Sequence, residues 1–223
     1  MTTSVIIPSL NEAESIKQLI DEIPRDYVDE IIVVDGNSMD GTGKVVGNFK
    51  DVILLHQATK GFGSAIREGI NYAKGDVVVI LNADGSHNPA EIPKLLEKIN
   101  EGYDYVMAER YSETAHSEDD TWFRRFGNKL ITATVNIVHG SQLKDSLYLF
   151  TAIRKKSLGN LNLKSDGFEF CIEIVVKAYK YKLKLAEVPS LERKRIAGKS
   201  KVKPIIHGFI IMKEVLKAIN YRH

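Results

Sequence analysis

The sequence contains little cysteine: Cys171 is the single thiol among 223 residues. One thiol excludes an intrachain disulfide framework and a zinc site built from several cysteines. Long apolar runs are also missing, because the longest, near residues 77–81 and 205–212, fall well short of the roughly 20 residues that cross a bilayer. The N-terminus has no basic segment followed by an apolar one, the pattern of a signal peptide. We therefore expect a cytoplasmic protein without a membrane-spanning segment, with Cys171 in the core rather than acting as a nucleophile.

Several enzyme motifs are missing as well. Neither G-x-G-x-x-G nor the P-loop G-x-x-x-x-G-K-[ST] occurs, which disfavours a Rossmann dehydrogenase and a P-loop NTPase. The six histidines show no metal-ligand spacing, and neither H-E-x-x-H nor a nucleophile elbow is present. A hydrolase built on a Ser or Cys triad is therefore unsupported.

The net charge of +2 conceals an uneven distribution. Residues 1–150 hold 14 Lys and Arg against 23 Asp and Glu, a net charge of −9. Residues 151–223 hold 17 against 6, a net charge of +11. This asymmetry argues against a uniformly basic nucleic-acid binder, so no nucleic-acid partner is expected. It predicts an anionic partner or surface near the C-terminal third.

Short apolar runs alternate with helical patterns through the first half of the chain. Strands are predicted at 4–8, 30–35, 52–56 and 76–81, and helices at 12–23, from Gly41 and at 64–73. In the second half we predict strands at 103–108, 147–153 and 183–188, helices at 126–138, 169–179 and 204–219, and a mobile polar loop at 112–120. The fold class is therefore α/β, a single domain over 1–223 whose ligands bind outside the carboxyl ends of the strands.

Acidic and amide side chains follow three of the predicted strands. Glu12 follows the first strand, Asp35 ends the second, and Asp84 follows the fourth. Each alone is typical of a turn or a helix cap. Three at successive strand ends favour a divalent metal that carries a nucleotide diphosphate, because Mg²⁺ uses one or two carboxylates together with phosphate oxygens. The turn Lys60–Gly63 opens a helix and offers a weaker phosphate-binding signal.

A basic segment precedes the last predicted helix. Its cations are Arg193, Lys194, Arg195, Lys199, Lys201 and Lys203. Most such runs are solvated loops, but this one also suits a flexible clamp on phosphate. The helix after it has a wide apolar side, which predicts packing on the sheet or docking on an anionic membrane surface.

Four segments of the first half resemble, in order, family-2 glycosyltransferases of the GT-A fold. They are SVIIPSLNE, EIIVVDGNSMDGT, KGFGSAIREGINYAKGDVVVILNADGSHNPAEIPKLL and MAERY. The downstream segment GFEFCIEIVVKAYKYKLKLAEVPSLERKRIAGKSK resembles the dolichyl-phosphate mannosyl- and glucosyltransferase branch, with its Glu-bearing helix, E-V-P segment and R-x-x-G-x-S-K motif. The resemblance implies a mixed, mostly parallel sheet flanked by helices. Residues 1–110 would form a nucleotide-sugar-binding half, and residues 111–223 an acceptor-binding half ending in an amphipathic helix.

The resemblance also implies roles for individual residues. The nucleotide-sugar-binding set is Pro8, Glu12, Asp35, Lys60, Asn82, Ala83 and Asp84. The acceptor-phosphate set is Arg110, Arg124, Arg125, Arg195 and Ser200. The catalytic set is Asp84, Arg110, Arg195 and Lys201, and the metal ligands are Asp84, Asn82 and Ser86. The implied cofactor is Mg²⁺ or Mn²⁺.

This sequence departs from the family pattern at two places. Asn82 replaces the first carboxylate of D-x-D, and Ser86 stands where many relatives have a Gln ligand, so lower metal affinity is expected. Residues 145–151 replace a D-x-T-S-G-F-R segment, keeping Asp145 and Phe150 but losing the glycine and the arginine. A different acceptor pocket is expected there.

The reaction implied is transfer of a hexose, with inversion, from a GDP-mannose- or UDP-glucose-type donor to a polyprenyl (dolichyl) phosphate. The enzyme would be peripheral on the cytoplasmic face of a membrane. Two alternatives stay open. A family-2 enzyme with a soluble acceptor would need a general base, Asp145 or an acidic residue of the 112–120 loop, and a non-catalytic nucleotide-sugar-binding protein would bind the donor without turnover. A nucleotidyltransferase is disfavoured, because no N-terminal G-x-G-T-R-like loop is present.

Overall fold

The computed structural model describes residues 1–198 and 200–220. A seven-stranded sheet has the order β3-β2-β1-β4-β7-β5-β8, and a two-stranded sheet pairs β6 with β9. The strands are β1 Thr3–Ser9, β2 Glu30–Asp35, β3 Val52–His56, β4 Val77–Ile80, β5 Tyr105–Glu109, β6 His116–Ser117, β7 Thr151–Arg154, β8 Leu185–Pro189 and β9 Leu191–Glu192. The helices are α1 Ala13–Asp21, α2 Thr42–Val46, α3 Phe62–Tyr72, α4 Ile92–Asn100, α5 Trp122–His139, α6 Lys155–Leu161, α7 Phe170–Lys180 and α8 Pro204–Lys217.

The first half of the sheet is parallel. β1 pairs with β2 on one side and β4 on the other, and β2 pairs with β3. Every residue of β1 and β4 is buried, because helices cover both faces, and this explains their continuous apolar sequence. The strands and helices predicted over residues 4–81 are all present, with ends that differ by a few residues.

The second half makes the sheet mixed. β7 lies between β4 and β5 and is antiparallel to both, whereas β5 and β8 are parallel. The strand predicted over 147–153 begins at Thr151 instead. Residues Leu147–Leu149 precede it and line a cavity. Their apolar side chains therefore form part of a cavity wall and not a strand.

Two helices lie outside the sequence predictions. α4 buries Ile92, Leu95, Leu96 and Ile99 on one face, the spacing of an amphipathic helix. α6 is seven residues long, too short for apolar periodicity to identify it. The predicted loop 112–120 also contains β6, which is parallel to β9, so this acidic segment is tied to residues just before the basic segment.

Helices α5, α7 and α8 pack around a separate apolar cluster that includes Ile131, Val176 and Val215. α5 begins at Trp122, four residues before the predicted start, because the Thr121 hydroxyl accepts a hydrogen bond from the Arg124 N–H at 3.3 Å. The outer sides of α5 and α8 carry large exposed apolar residues. Within the described residues, no helix has the length and hydropathy that crossing a bilayer requires.

Candidate active site

The carboxyl ends of β1, β2 and β4 lie side by side, since Ser9 is paired with Asp35 and Ile6 with Ile80. A cavity of about 430 Å³ opens at this edge of the sheet. Twelve of the fourteen residues predicted for the site line it. They are Pro8, Glu12, Lys60, Asn82, Ala83, Asp84, Ser86, Arg110, Arg124, Arg195, Ser200 and Lys201.

The other two predicted residues lie outside the cavity lining. Asp35 is buried, and its carboxylate accepts hydrogen bonds from the N–H and the hydroxyl of Ser38. Its role in this structure is to hold the turn after β2. Arg125 lies on α5 with its guanidinium 5.4 Å from the centre of the Tyr111 ring.

Asp84 is a polar residue of the cavity lining. Its Oδ1 accepts hydrogen bonds from the N–H and the hydroxyl of Ser86 at 3.0 and 2.7 Å. Its Oδ2 lies 2.7 Å from Nη2 of Arg195. The Asp84 side chain is only 10% exposed, so these partners replace its hydration.

Residues 193–203, which we call the basic loop, lie against the strand ends. The N–H of Arg193 donates to the Ser86 carbonyl at 2.9 Å, and the N–H of Ile196 donates to the Asp84 carbonyl at 3.0 Å. Lys201 forms an ion pair with Glu12. The basic loop therefore neutralises the acidic strand ends directly; Lys199 lies outside the described residues.

Arg110 forms a buried group with two carboxylates. Its Nε and Nη2 donate to Asp145 at 2.7 and 3.3 Å, and its Nη1 lies 3.2 and 3.3 Å from the two oxygens of Glu192. Burial opposes the charged form, but the two carboxylates raise the pKa of Arg110 well above its ordinary value. Burial also raises the pKa of Glu192, while Arg110 acts in the opposite sense. Asp145 has no exposed surface and uses both oxygens on Arg110, which leaves it poorly placed as a general base.

The remaining cations of the cavity differ in their pairing. Arg124 lies 3.2 Å from the Asp119 carboxylate, and both residues line the cavity. Arg195 pairs with Asp84 and lies 3.8 Å from Glu12. Among the described cations that line the cavity, Lys60 is the one without an ion pair. It is exposed and so is available to an anionic ligand.

The turn before α3 does not leave its backbone N–H groups free for phosphate, the use that its glycines weakly indicate. The N–H groups of Gly63 and Ser64 donate to the Asp166 carbonyl at 2.7 and 3.2 Å. A Cβ at Gly61, whose φ is +131°, would lie 2.2 Å from that same oxygen. The two glycines therefore permit close packing against residues 165–167.

One wall of the cavity is apolar. Phe62 stacks on Phe168 with ring centres 4.9 Å apart, and Phe168 contacts the His207 ring at 4.8 Å. This wall extends from α3 to the start of α8. Cys171 also lines it, and burial raises the pKa of its thiol to about 12, so it is a poor nucleophile at neutral pH.

The sequence predictions missed Ser9 and Glu192, two polar residues that line the cavity, and also His87, which contacts the lining residue Asn82. Ser9 ends β1, and its buried hydroxyl has no hydrogen-bond partner among the described residues. His87 is 1% exposed and contacts Asn82, and burial lowers its pKa to about 3. Glu192 lies in a two-residue strand too short to recognise. The position of Ser9 beside a predicted strand end was the one available signal.

The oxygens at Asp84 suit a divalent cation only if a bound substrate supplies further oxygens to it. Asp84 and the Ser86 hydroxyl supply adjacent oxygens, but the described residues contain no group of three or more His, Cys, Asp or Glu able to hold a metal. Mg²⁺ commonly uses one or two carboxylates and takes its other ligands from phosphate and water. A metal would therefore have to arrive with phosphate oxygens and replace Arg195 at Oδ2 of Asp84.

The family model described as "Glycosyl transferase family 2" matches residues 4–161, which is most of the chain. The protein belongs to glycosyltransferase family 2. This agrees with the family expected from the sequence motifs.

Two curated relatives match most of this chain but extend beyond it. Glycosyltransferase AglJ of Haloferax volcanii is 29% identical over 215 residues, covering 96% of this chain and 70% of its own length. A dolichol-phosphate mannosyltransferase of Pyrococcus furiosus is 33% identical over 212 residues, covering 91% of this chain and 60% of its own length. A third relative, an undecaprenyl-phosphate 4-deoxy-4-formamido-L-arabinose transferase of Edwardsiella ictaluri, is 30% identical over 212 residues, with 89% and 62% covered.

A solved structure has the same fold. Glucosyl-3-phosphoglycerate synthase from Mycobacterium tuberculosis, in complex with Mn²⁺, UDP-glucose and phosphoglyceric acid, matches with a TM-score of 0.80. The match covers 100% of this chain and 81% of that one, at 21% identity. It confirms the expected GT-A fold, a mixed and mostly parallel sheet flanked by helices.

Proposed function

We propose that this glycosyltransferase moves a hexose from a nucleotide diphosphate sugar to a polyprenyl phosphate, with inversion at the anomeric carbon. One observation carries the proposal: a single cavity combines a carboxylate and cations at the strand ends with an apolar wall that leads to α8. The charged strand ends suit a sugar nucleotide. A phosphate on an apolar chain suits the cations and the apolar wall together. The names of two relatives, the dolichol-phosphate mannosyltransferase and the undecaprenyl-phosphate 4-deoxy-4-formamido-L-arabinose transferase, support the same class of acceptor.

The donor would occupy the strand-end side of the cavity. Pro8 and Glu12 would border the nucleoside, with Asp35 holding the turn beside it, and Lys60 and Asn82–Asp84 would contact the sugar diphosphate. Asp84 and Ser86 would hold Mg²⁺ or Mn²⁺ bound with the diphosphate. When bound, this cation supplies positive charge at the leaving group.

The chemistry needs little proton transfer. The acceptor phosphate is already an anion, so its oxygen attacks the anomeric carbon while the bond to the diphosphate breaks, and no general base is required. Arg195 and Lys201 would exchange their carboxylate partners for the departing diphosphate. Charge stabilisation and positioning then provide the rate enhancement.

The acceptor phosphate would lie on the opposite side, where Arg110 and Arg124 line the cavity. Arg195 and Ser200 would contact it from the basic loop, and Arg125 would contribute from the surface of α5. Because Arg110 is paired with both Asp145 and Glu192, this group carries no net positive charge, and Arg110 would contact the acceptor phosphate by exchanging one of these carboxylates for it. Residues 1–110 and 111–223 would thus serve donor and acceptor within one domain.

A membrane surface fits the outer sides of α5 and α8. The side chains most exposed there include Trp122, Phe126, Ile205 and Phe209, each at least 64% exposed. The described part of α5 holds three cations and no acidic residue, and in α8 the only acidic residue, Glu214, is buried. Exposed apolar residues beside cations favour an anionic lipid surface. The enzyme would therefore bind the surface of the membrane that holds its acceptor, on the cytoplasmic face that the sequence leads us to expect.

A soluble acceptor is the second candidate, and one observation favours it. Glu192 lines the cavity with a raised pKa, as a general base for a neutral hydroxyl would require. The similar structure from Mycobacterium tuberculosis holds phosphoglyceric acid, a soluble acceptor. Glu192, Asp145 and Asp119 are all paired with arginines, so each would have to leave its partner to act as a base, and the raised pKa is what distinguishes Glu192.

A donor and acceptor panel separates the proposals. The protein is incubated with Mg²⁺ or Mn²⁺, labelled UDP- and GDP-sugars, and either polyprenyl phosphate in detergent or 3-phosphoglycerate. We expect label from one donor to enter the organic phase only when polyprenyl phosphate is present. Label in a soluble product alone would favour the soluble acceptor, and donor binding without any transfer would favour a non-catalytic protein.

A further inference from the structure

Asn82 and His87 contact each other through both ring nitrogens of the histidine. The backbone N–H of Asn82 donates to His87 Nδ1 at 3.1 Å, and the Asn82 side-chain amide lies 3.1 Å from Nε2. A ring nitrogen that accepts a hydrogen bond carries no proton, so the proton of the neutral ring is on Nε2. Nε2–H is therefore a donor that faces the amide.

This tautomer decides which way the Asn82 amide points. With Nδ2 toward Nε2, two donors would oppose each other, whereas with Oδ1 toward Nε2–H the contact is a hydrogen bond. In the second orientation the NH₂ group takes the branch of the amide that does not contact His87. The atom on that branch is buried and has no partner among the described residues. Asn82 itself lines the cavity.

We propose that Asn82 donates a hydrogen bond to an oxygen of the bound sugar nucleotide and does not ligate a metal, with His87 as the residue that fixes this orientation. An amide NH₂ has no lone pair to offer a cation, so the metal would be left to Asp84 and the ligand phosphates. The identity of the ligand rests on the proposed function, whereas the tautomer of His87 does not. The unpartnered hydroxyl of Ser9 on the neighbouring strand β1 adds a second polar group that a ligand would satisfy.

The tautomer is tested first, in the ligand-free protein. Long-range ¹H–¹⁵N spectra of the imidazoles distinguish Nε2–H from Nδ1–H, and the His87→Gln spectrum identifies the signal by its loss. We expect His87 as neutral Nε2–H at pH 7. A proton on Nδ1, or on both nitrogens, would overturn the proposal whatever the ligand is.

The ligand contact is tested by titration calorimetry with UDP and with GDP, in EDTA and in Mn²⁺. Asn82→Ala should weaken binding of the better nucleotide about tenfold under both conditions, the effect of one lost hydrogen bond to a charged group. Asn82→Asp should weaken binding in EDTA but strengthen it in Mn²⁺, because it presents an oxygen where the amide presents a donor.

Two controls keep these results interpretable. His87→Gln retains an acceptor and a donor and should bind close to wild type, whereas His87→Phe retains neither and should resemble Asn82→Ala. A loss for Asn82→Ala seen only with Mn²⁺ would make Asn82 a metal ligand and overturn the proposal. If the wild type binds neither UDP nor GDP, the proposed function and the ligand contact fail together, while the tautomer is still decided by the spectra.

Discussion

Among single residues, Arg110 has the clearest energetic role, because it separates two buried carboxylates. Arg110→Met would leave Asp145 and Glu192 next to each other without a cation. We expect the free energy of unfolding to fall by about 3–5 kcal/mol at pH 8, as when a buried ion pair loses one partner. Lys17→Met removes an exposed pair with Asp21 and should cost less than about 1 kcal/mol. Urea denaturation measures both.

The Arg110→Met penalty should depend on pH in a definite direction. The pKa of Glu192 is raised in the folded wild type, and loss of Arg110 removes an interaction that lowers it. The folded variant then binds a proton more tightly than the unfolded chain, so its stability falls as the pH rises through the folded pKa. The difference from wild type should be smaller at pH 5 than at pH 8. An equal penalty at both pH values would mean that the loss is one of packing, not charge.

Lys60 gives a prediction about ligand binding. It is an exposed cavity cation with no ion pair among the described residues, so Lys60→Ala should leave stability unchanged and raise the Kd for a nucleoside diphosphate about fivefold, the effect of about 1 kcal/mol. Lys50→Ala, on an exposed residue outside the cavity lining, is the matched control. Equal affinities in all three proteins would remove Lys60 from the donor site.

At the scale of elements, the basic loop depends on Gly85. A Cβ at Gly85, whose φ is +78°, would lie 2.3 Å from Cδ1 of Ile196. Gly85→Ala should displace the basic loop and speed tryptic cleavage within residues 193–203 severalfold, because displaced segments are cut faster. Adding Ile196→Ala should return the rate toward wild type. If the double variant is cleaved as fast as Gly85→Ala alone, the displacement comes from a Cβ at a positive φ and not from the contact with Ile196.

The exposed apolar side of helix α8 leads us to expect that the protein binds a membrane surface. Phe209 is 75% exposed, and burying a Phe side chain contributes about 1.5–3 kcal/mol. Phe209→Ser should therefore lower the partition coefficient onto vesicles of equal phosphatidylglycerol and phosphatidylcholine by about tenfold or more. Met39→Ser alters a side chain that is 93% exposed on a different loop, and it should change nothing. Equal losses for both variants would argue against docking through α8.

The burial of each element decides how well its sequence predicts it. Strands such as β1 and β2 are buried on both faces, so an apolar run identifies them without knowledge of the fold. The cavity wall at Leu147–Leu149 has the same apolar character, so its composition predicts a strand, although the strand begins only at Thr151. Contacts between distant residues, such as Arg110 with Asp145, depend on the arrangement of β5 beside β7 and leave no local pattern.

For the whole molecule, the split between an acidic first part and a basic last part has a structural counterpart. The basic loop forms ion pairs with Glu12 and Asp84 across more than a hundred residues of sequence. A bound diphosphate would compete with those carboxylates for the same cations. Since the competition is electrostatic, donor affinity should fall as salt rises.

Product analysis under single turnover shows whether the protein transfers a hexose to polyprenyl phosphate with inversion. Enzyme in excess is mixed with the labelled donor selected by the panel, polyprenyl phosphate and Mg²⁺, and the products are separated into organic and aqueous phases. We expect a glycosyl polyprenyl phosphate of inverted anomeric configuration in the organic phase, identified by mass spectrometry and NMR. Label found only as free sugar, or only on a soluble acceptor, would contradict it.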